Sequence, residues 1–359
     1  MKTSLGWATR TLVGTGLSLI ACVGTAAEQA PRPGAPAMPV AIGQQFLGVT
    51  IPTPQLKAQY PNNVEGLFYI PYRSLSGFRT MTLDVYRTPG ATARPALVWV
   101  HGGRLLSGGP REPHPMWGTQ DGFLAYIASR GYVTVGITYR FGNEAKWPAQ
   151  LQDSKAAIRF LRANAARFGI DPNHIGVMGE SAGGGVAAMA GTTCGVTEFD
   201  DGDNLDQSSC VQAAIDWYGV SDMNQLDSMA PANATLIHNG PDSSQSIVLG
   251  CSLHYTCTAD VVKRANPIAY IDSRTLGTKF LIMHGDDDRA VSWKQAQLLH
   301  DALRAKNVPS TLIIVPGVDH YFGRATAEQA KMILDSLMNF LAESLGGGGS
   351  NGKAGAARK

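Results

Sequence analysis

One serine sits in an unusual setting. The run "HIGVMGESAGGGVAAMAG", His174 to Gly191, surrounds Ser181 with glycines. Glycine inside a helix or strand costs roughly 0.5–1 kcal/mol relative to alanine, so the cluster must serve something other than local stability. Gly179 to Gly183 reads G-x-S-x-G, preceded by a strand pattern and followed by a helix pattern. A serine held on a sharp strand-to-helix turn presents its hydroxyl as a nucleophile. The residues two before and two after it then pass close to neighbouring backbone, where a Cβ would clash. The bland alternative is a glycine-rich turn with an incidental serine. It does not account for the strand and helix on either side.

A serine hydroxyl needs a base, and the base needs an acid to orient it. "FLIMHGDDDRAV" ends a strand at Met283 and continues into Asp286, Asp287 and Asp288. "TLIIVPGVDHYF" ends a strand at Val315 and presents His320. The order Ser181, Asp288, His320 fits a nucleophile, acid and base carried at successive strand ends. Of the eight histidines, only His320 lies in a loop just after the last expected strand. His101 and His284 precede glycines at strand ends and read as turn residues. His114, His174, His238, His254 and His300 read as surface or packing residues. Negative charge developing on a tetrahedral intermediate needs preorganised N–H donors. Ala182 supplies one, directly after the serine. "HGGR", His101 to Arg104, supplies the others from Gly102, Gly103 and Arg104.

These residues need a scaffold of strand ends. "PALVWVHGG" and "GYVTVGITYRFG" are short, nearly continuous apolar runs, as in strands buried on both faces. "HIGVMG", "AAIDWYG", "KFLIMHG" and "TLIIVPG" follow the same pattern. Between them fall a helix over 148–169, a helix from Ala182, a helix around "WKQAQLLHDALRAKN" and a last helix from Ala325 to Leu345. Pro148 suits a first turn and Gly169 a stop. Before them, "GLFYIPYRS" and "RTMTLDVYRTPG" read as antiparallel edge strands. The expected class is α/β, a mostly parallel central sheet with helices on both faces. Residues 222–265 lack clean periodicity, either as an insertion over the sheet or as irregular helices.

The bulk composition agrees. The 359 residues are 44% hydrophobic and 16% charged, with a formal net charge of +2. That suits a core-forming chain and gives nucleic-acid binding no support. The N-terminus orders basic, apolar and small residues as in an export signal, over residues 1–27. "LIAC" offers a second reading, a lipoprotein lipidated at Cys22 and anchored in the outer membrane. An N-terminal core helix is the third. Secreted or periplasmic residence is the expectation, with membrane contact only through Cys22. A Pro/Ala/Gly-rich leader over 28–45, a catalytic domain over 46–345 and a flexible basic tail over 346–359 complete the organisation. Four further cysteines remain, Cys194, Cys210, Cys251 and Cys257, without zinc-site spacing. In an oxidising compartment they pair. Local pairing, Cys194 with Cys210 and Cys251 with Cys257, is the simplest of three connectivities, and four buried thiols are the alternative.

Several separated motifs carry a resemblance: "WVHGG", "DSKAAIRFLRANAARFGIDPNHIGVMGESAGG", "AAIDWYGVSDM" and "NPIAYIDSRTLGTKFLIMHGDDDRAVSWKQAQLLHDAL". Together they resemble the bacterial α/β-hydrolase esterases akin to bifunctional feruloyl and acetyl-xylan esterases, relatives of the hormone-sensitive lipase group. The likeness runs from about Leu67 to Leu345. It implies an α/β-hydrolase fold and hydrolysis of small-molecule or polysaccharide-linked carboxylic esters, without metal or organic cofactor. The family's H-G-x-x-D-x-x-V falls on His284, Gly285, Asp288 and Val291, which selects Asp288 over Asp286 and Asp287. Its G-x-x-H-x-F falls on Gly317, His320 and Phe322. Its frequent third glycine after His is here Arg104, whose side chain would narrow the site or meet an anionic group. Its cysteine pair before "NPIAY" agrees with Cys251–Cys257. Met116, Trp117 and Tyr321 are candidate pocket residues, with loop anchoring as the alternative for the first two. A serine peptidase on the same fold and a non-catalytic hydrolase-like binding protein are the rival readings.

Overall fold

In the computed structural model, residues 56–90 and 92–347 are described. The export segment, the leader, residues 46–55 and the tail beyond residue 347 lie outside the described residues. Nine strands form one sheet. They are β1 (Leu56–Tyr60), β2 (Val64–Arg73), β3 (Met81–Arg87), β4 (Arg94–Val100), β5 (Val133–Ile137), β6 (Ile170–Glu180), β7 (Ala213–Trp217), β8 (Lys279–Gly285) and β9 (Ser310–Val315). Their spatial order is β1-β2-β3-β5-β4-β6-β7-β8-β9. The first three strands and the β3–β5 ladder are antiparallel, and every ladder from β5 to β9 is parallel.

The long helices are α1 (Gln120–Ser129), α2 (Ala149–Ala163), α3 (Ala182–Thr192), α4 (Lys294–Ala305) and α5 (Ala327–Leu345). Alternation along β4 divides them between two layers. Ala96, Val98 and Val100 face a core shared with Leu151, Ile158 and Leu161 of α2, Val186 and Met189 of α3, and Leu299 and Leu303 of α4. Leu97 and Trp99 face the other core, with Phe123 and Ile127 of α1 and Ile333, Leu337 and Leu341 of α5. A strand covered on both faces has no polar side, so these segments read as unbroken apolar runs.

Three differences from the sequence reading have local causes. Helix α1 and strand β1 were not foreseen. α1 follows a loop rich in Pro and Gly and contains Gly122, and "LKAQY" leaves much of its length exposed. The helix expected over 148–169 ends at Ala163, because Asn164 takes the cap; one short turn follows and stops at Gly169, whose φ is 71°. Helix α5 begins at Ala327 rather than Ala325. The Thr326 hydroxyl accepts from the Gln329 N–H, and the Gln329 side chain accepts from the Thr326 N–H, which fixes the start.

Residues 222–265 fold as short helices, Leu226–Met229, Ser244–Leu249 and Ala259–Lys263, too brief to print a helical period. They pack on a small apolar cluster of Met223, Leu226, Leu249, Leu253, Val262, Ala265 and Val291. Cys251 and Cys257 in this segment are at disulfide distance, as are Cys194 and Cys210. The loop between Cys194 and Cys210 brings Asp200 to Lys155 and Arg159 of α2, at 3.1 and 2.7 Å. No described helix is long and apolar enough to cross a membrane.

Candidate active site

The turn between β6 and α3 carries Ser181 at φ 50°, ψ −123°, a backbone geometry L-residues avoid and one that persists where the surroundings enforce it. The enforcement is visible. The Ser181 N–H donates to the Trp217 carbonyl at 2.8 Å. A Cβ on Gly179 would overlap the Gly183 carbonyl, and one on Gly183 would overlap the Val100 carbonyl and stand 2.5 Å from that of His101. On Gly184 it would stand 2.8 Å from the Trp217 carbonyl, and on Gly185 2.9 Å from that of Val220. All four glycines are therefore spaces that neighbouring strands and loops already fill.

The loops after β8 and β9 reach the same point. His320 Nε2 lies 2.9 Å from Ser181 Oγ, and His320 Nδ1 lies 2.6 Å from Asp288 Oδ2. Asp288 is fully enclosed. Its Oδ1 accepts the N–H groups of Ala290 and Val291 at 2.8 and 2.9 Å. Burial pushes its carboxyl upward, but hydrogen bonds from His284 and His320 and their charge outweigh burial and hold it well below the usual carboxylate range. The neighbouring acids do other work. Asp286 accepts the Gly317 N–H at 2.6 Å, and Asp287 pairs with Arg289 and Arg324.

His284, read as a turn residue, touches this acid directly. Its Nε2 is 2.9 Å from both Asp288 Oδ2 and the Val291 carbonyl. Both are acceptors, so Nε2 carries the proton. Nδ1 is then a buried lone pair without a partner among the described residues.

The turn after β4 sits against the serine. Gly102 is so near that a Cβ there would lie 3.4 Å from Ser181 Cβ. Gly103 and Arg104 have φ of 96° and 59°, so Arg104 occupies a left-handed position that glycine would take without strain. The N–H groups of Gly103 and Ala182 donate to no atom among the described residues. Tyr139 braces the turn from below. Its hydroxyl donates to the carbonyls of His101 and Gly102 at 2.9 and 3.1 Å, and its ring stacks on His101 at 4.3 Å. Burial lowers the His101 imidazole to about 4, so it stays neutral at working pH.

A cavity of about 840 Å³ opens over Ser181 and His320, within the range of small-molecule sites. Its walls include Leu105, Trp147, Val186, Val248 and Tyr321. Met116 and Trp117, expected here, are not among its walls and are corrected to packing residues. Trp117 stacks on His114 and Phe123, both at 4.4 Å, and Met116 packs beside it against the second core. Aromatic stacking holds that half-buried indole against the second core. At the rim Arg289 and Arg324 are matched by Asp287 and Asp319. Arg104 lines the cavity with no ion pair among the described residues.

Sequence reasoning also missed a buried polar cluster under the serine. Glu180 accepts from Gln120 Nε2 and from the Tyr218 hydroxyl, both at 2.9 Å, and lies 3.2 Å from His114 Nε2. The Tyr218 ring in turn packs edge-on against His320 at 4.8 Å. His114 is thus interior, in contact with the residue before the nucleophile. The signal available was Glu180 itself, a charged residue inside an otherwise apolar and small motif. Among the described residues no group of three or more His, Cys, Asp or Glu side chains is placed to hold a metal ion.

A mostly parallel sheet with a serine on the turn after its central strand, and an acid and a histidine at the ends of later strands, is the α/β-hydrolase fold. The BD-FAE family model matches residues 83–303, well over half of the sequence, and the chain belongs to that family. Among curated relatives, Esterase LipQ of Mycobacterium tuberculosis is 28% identical over 279 residues, covering 76% of this chain and 61% of the relative. The probable carboxylic ester hydrolase LipM of the same organism is 27% identical over 271 residues, covering 74% and 58%. The chain therefore spans less than two thirds of the length of these relatives. Among solved structures, a truncated carbohydrate esterase from gut microbiota superposes with a TM-score of 0.63 at 27% identity, over 80% of this chain and 100% of that one. A bifunctional GH43-CE protein of Bacteroides eggerthii gives 0.64 at 29% identity, over 78% and 38%.

Proposed function

We propose that the chain is a serine carboxylic-ester hydrolase working through an acyl-enzyme. The observation that carries this reading is the unbroken relay from Ser181 Oγ through His320 to Asp288. Asp288 takes the Nδ1 proton of His320 as a hydrogen bond, which leaves the Nε2 lone pair facing the serine. Nε2 removes the hydroxyl proton as Oγ attacks the ester carbonyl. The N–H groups of Ala182 and Gly103, with Gly102 or Arg104, receive the developing oxyanion; one such donor is worth about 10²–10³ in rate. His320 then protonates the departing alcohol. Water, deprotonated by His320, releases the acid and restores Ser181.

The esterase names of the relatives and structural neighbours support the reaction class. The carbohydrate-esterase neighbour favours esters small or linked to polysaccharide, and the sequence resemblance adds short-chain or aryl acids of the acetyl or feruloyl kind. The two cysteine pairs and the N-terminal pattern favour export. Ser181→Ala should lower turnover of p-nitrophenyl acetate on the order of 10⁴-fold or more, and a fluorophosphonate should label Ser181 alone. Cleavage of an amino-acyl p-nitroanilide in place of the ester would make the protein a peptidase. Full esterase activity in Ser181→Ala would overturn the assignment.

A further inference from the structure

His238 stands on the wall of the cavity that holds Ser181, and the relay above makes no use of it. Its side chain is only 4% exposed. Asp227 fixes it: Oδ1 lies 2.9 Å from His238 Nδ1 and 2.8 Å from the His238 N–H, and Oδ2 accepts the Asn239 N–H at 2.9 Å. A carboxylate only accepts, so Nδ1 keeps its proton and the ring cannot turn over without losing that bond. The other nitrogen, Nε2, has no partner among the described residues. The residue itself lines the cavity, and Nε2 is the one polar atom of the ring that Asp227 leaves free to meet a ligand there.

A buried, oriented imidazole with one nitrogen facing a cavity is a recognition element. Its chemistry limits what it recognises. Neutral Nε2 accepts a hydrogen bond, and charged Nε2–H donates one. A hydroxyl serves both states, because it is donor and acceptor at once; a carboxylate serves only the charged state. The cavity is far larger than an acetyl group alone requires, so the rest of the ester lies within reach of the segment 222–265. Resting on the hydrolase reading above, we propose that His238, held by Asp227, binds a hydroxyl of the substrate. The protein then selects esters with a hydroxylated sugar-like alcohol or a phenolic acyl group over esters lacking that hydroxyl.

Two substrate pairs separate the sources. On the alcohol side the pair is methyl 2-O-acetyl-xyloside and cyclohexyl acetate. On the acyl side it is ethyl ferulate and ethyl 3-methoxycinnamate, which lacks the phenol. In His238→Phe the kcat/KM ratio of hydroxylated to unhydroxylated ester should fall about fivefold in one pair, the size of one net neutral hydrogen bond. The change should lie in KM, with turnover of the unhydroxylated ester unchanged. His238→Gln, which keeps a polar atom near Nε2, should recover part of the ratio. The pair that responds identifies the side of the ester. Unchanged ratios in both pairs, or an equal loss on all four esters, would overturn the proposal, the latter by making His238 structural. Should the wild-type protein hydrolyse none of the four, the choice of esters is what fails, and should p-nitrophenyl acetate resist it too, so does the Ser181 reading. Saturation-transfer NMR with methyl xyloside and ferulic acid then reads the same contact, and equal binding to wild type and His238→Phe refutes it.

Discussion

Replacing Gly183 by alanine tests whether the glycines hold the nucleophile in place by close approach. The added Cβ would overlap the Val100 carbonyl and stand 2.5 Å from that of His101, where ordinary contact begins at 3.4 Å. Both obstacles are backbone, so one of the two strand ends has to move by about 1 Å. The end that moves carries either Ser181 or the Gly102–Gly103 turn, and a misplacement of about 1 Å costs on the order of 10²-fold in rate. Alanine also favours the helix by about 1 kcal/mol, against about 1–3 kcal/mol for the forced fit. Net destabilisation should therefore be small, about 0–2 kcal/mol, while kcat/KM falls about 100-fold. Gly185→Ala is the control. Its nearest obstacle is one carbonyl at 2.9 Å, so it should leave stability near wild type and reduce activity less. The measurements are kcat/KM on p-nitrophenyl acetate and urea unfolding of both variants. Wild-type activity in Gly183→Ala, or a larger activity loss in Gly185→Ala, would refute the close-approach argument.

Two further outcomes follow from groups around the relay. Burial pushes the Asp216 carboxyl up to about 6, so the folded state prefers it protonated. That contribution is complete below the unfolded pKa of about 3.9 and is lost as pH rises through 6, up to about 3 kcal/mol at pH 8. Asp216→Asn never ionises, so its melting temperature should gain on wild type between pH 4 and pH 8; an offset constant with pH would contradict this. Arg104→Gly removes a left-handed non-glycine residue, worth about 1–2 kcal/mol, and adds unfolded-state entropy of about 0.4–1 kcal/mol, so stability should change by less than about 2 kcal/mol. If the unpaired guanidinium draws anionic esters, the preference for mono-4-nitrophenyl succinate over p-nitrophenyl acetate should drop about two- to fivefold, the scale of an exposed ion pair. An unchanged ratio would leave Arg104 without that role.

Much of the site was legible in the chain because it is governed by short-range sterics. Gly179, Ser181 and Gly183, set between a strand pattern and a helix pattern, announce a strained turn at a strand end. The HGG turn and the acid and histidine loops follow from apolar runs that stop at glycine. Choosing Asp288 among three adjacent acids rested on resemblance, since side-chain direction in a tight turn is not written in composition.

What the tertiary structure decided is which distant side chains share a space. Trp117 could read from the sequence as a pocket residue or as a loop anchor, and stacking on His114 and Phe123 holds it half-buried against the second core. Glu180 meets Gln120 and Tyr218 across three separate elements. His238, in the loop between two short helices, meets Asp227 of the first, and neither helix is long enough to leave a pattern. Backbone conformation at a turn depends on the few residues that form it, and a sequence records those in order. The direction of a histidine or a tryptophan depends on which remote surfaces close around it, and that is fixed only when the sheet, its two helical layers and the segment 222–265 pack together.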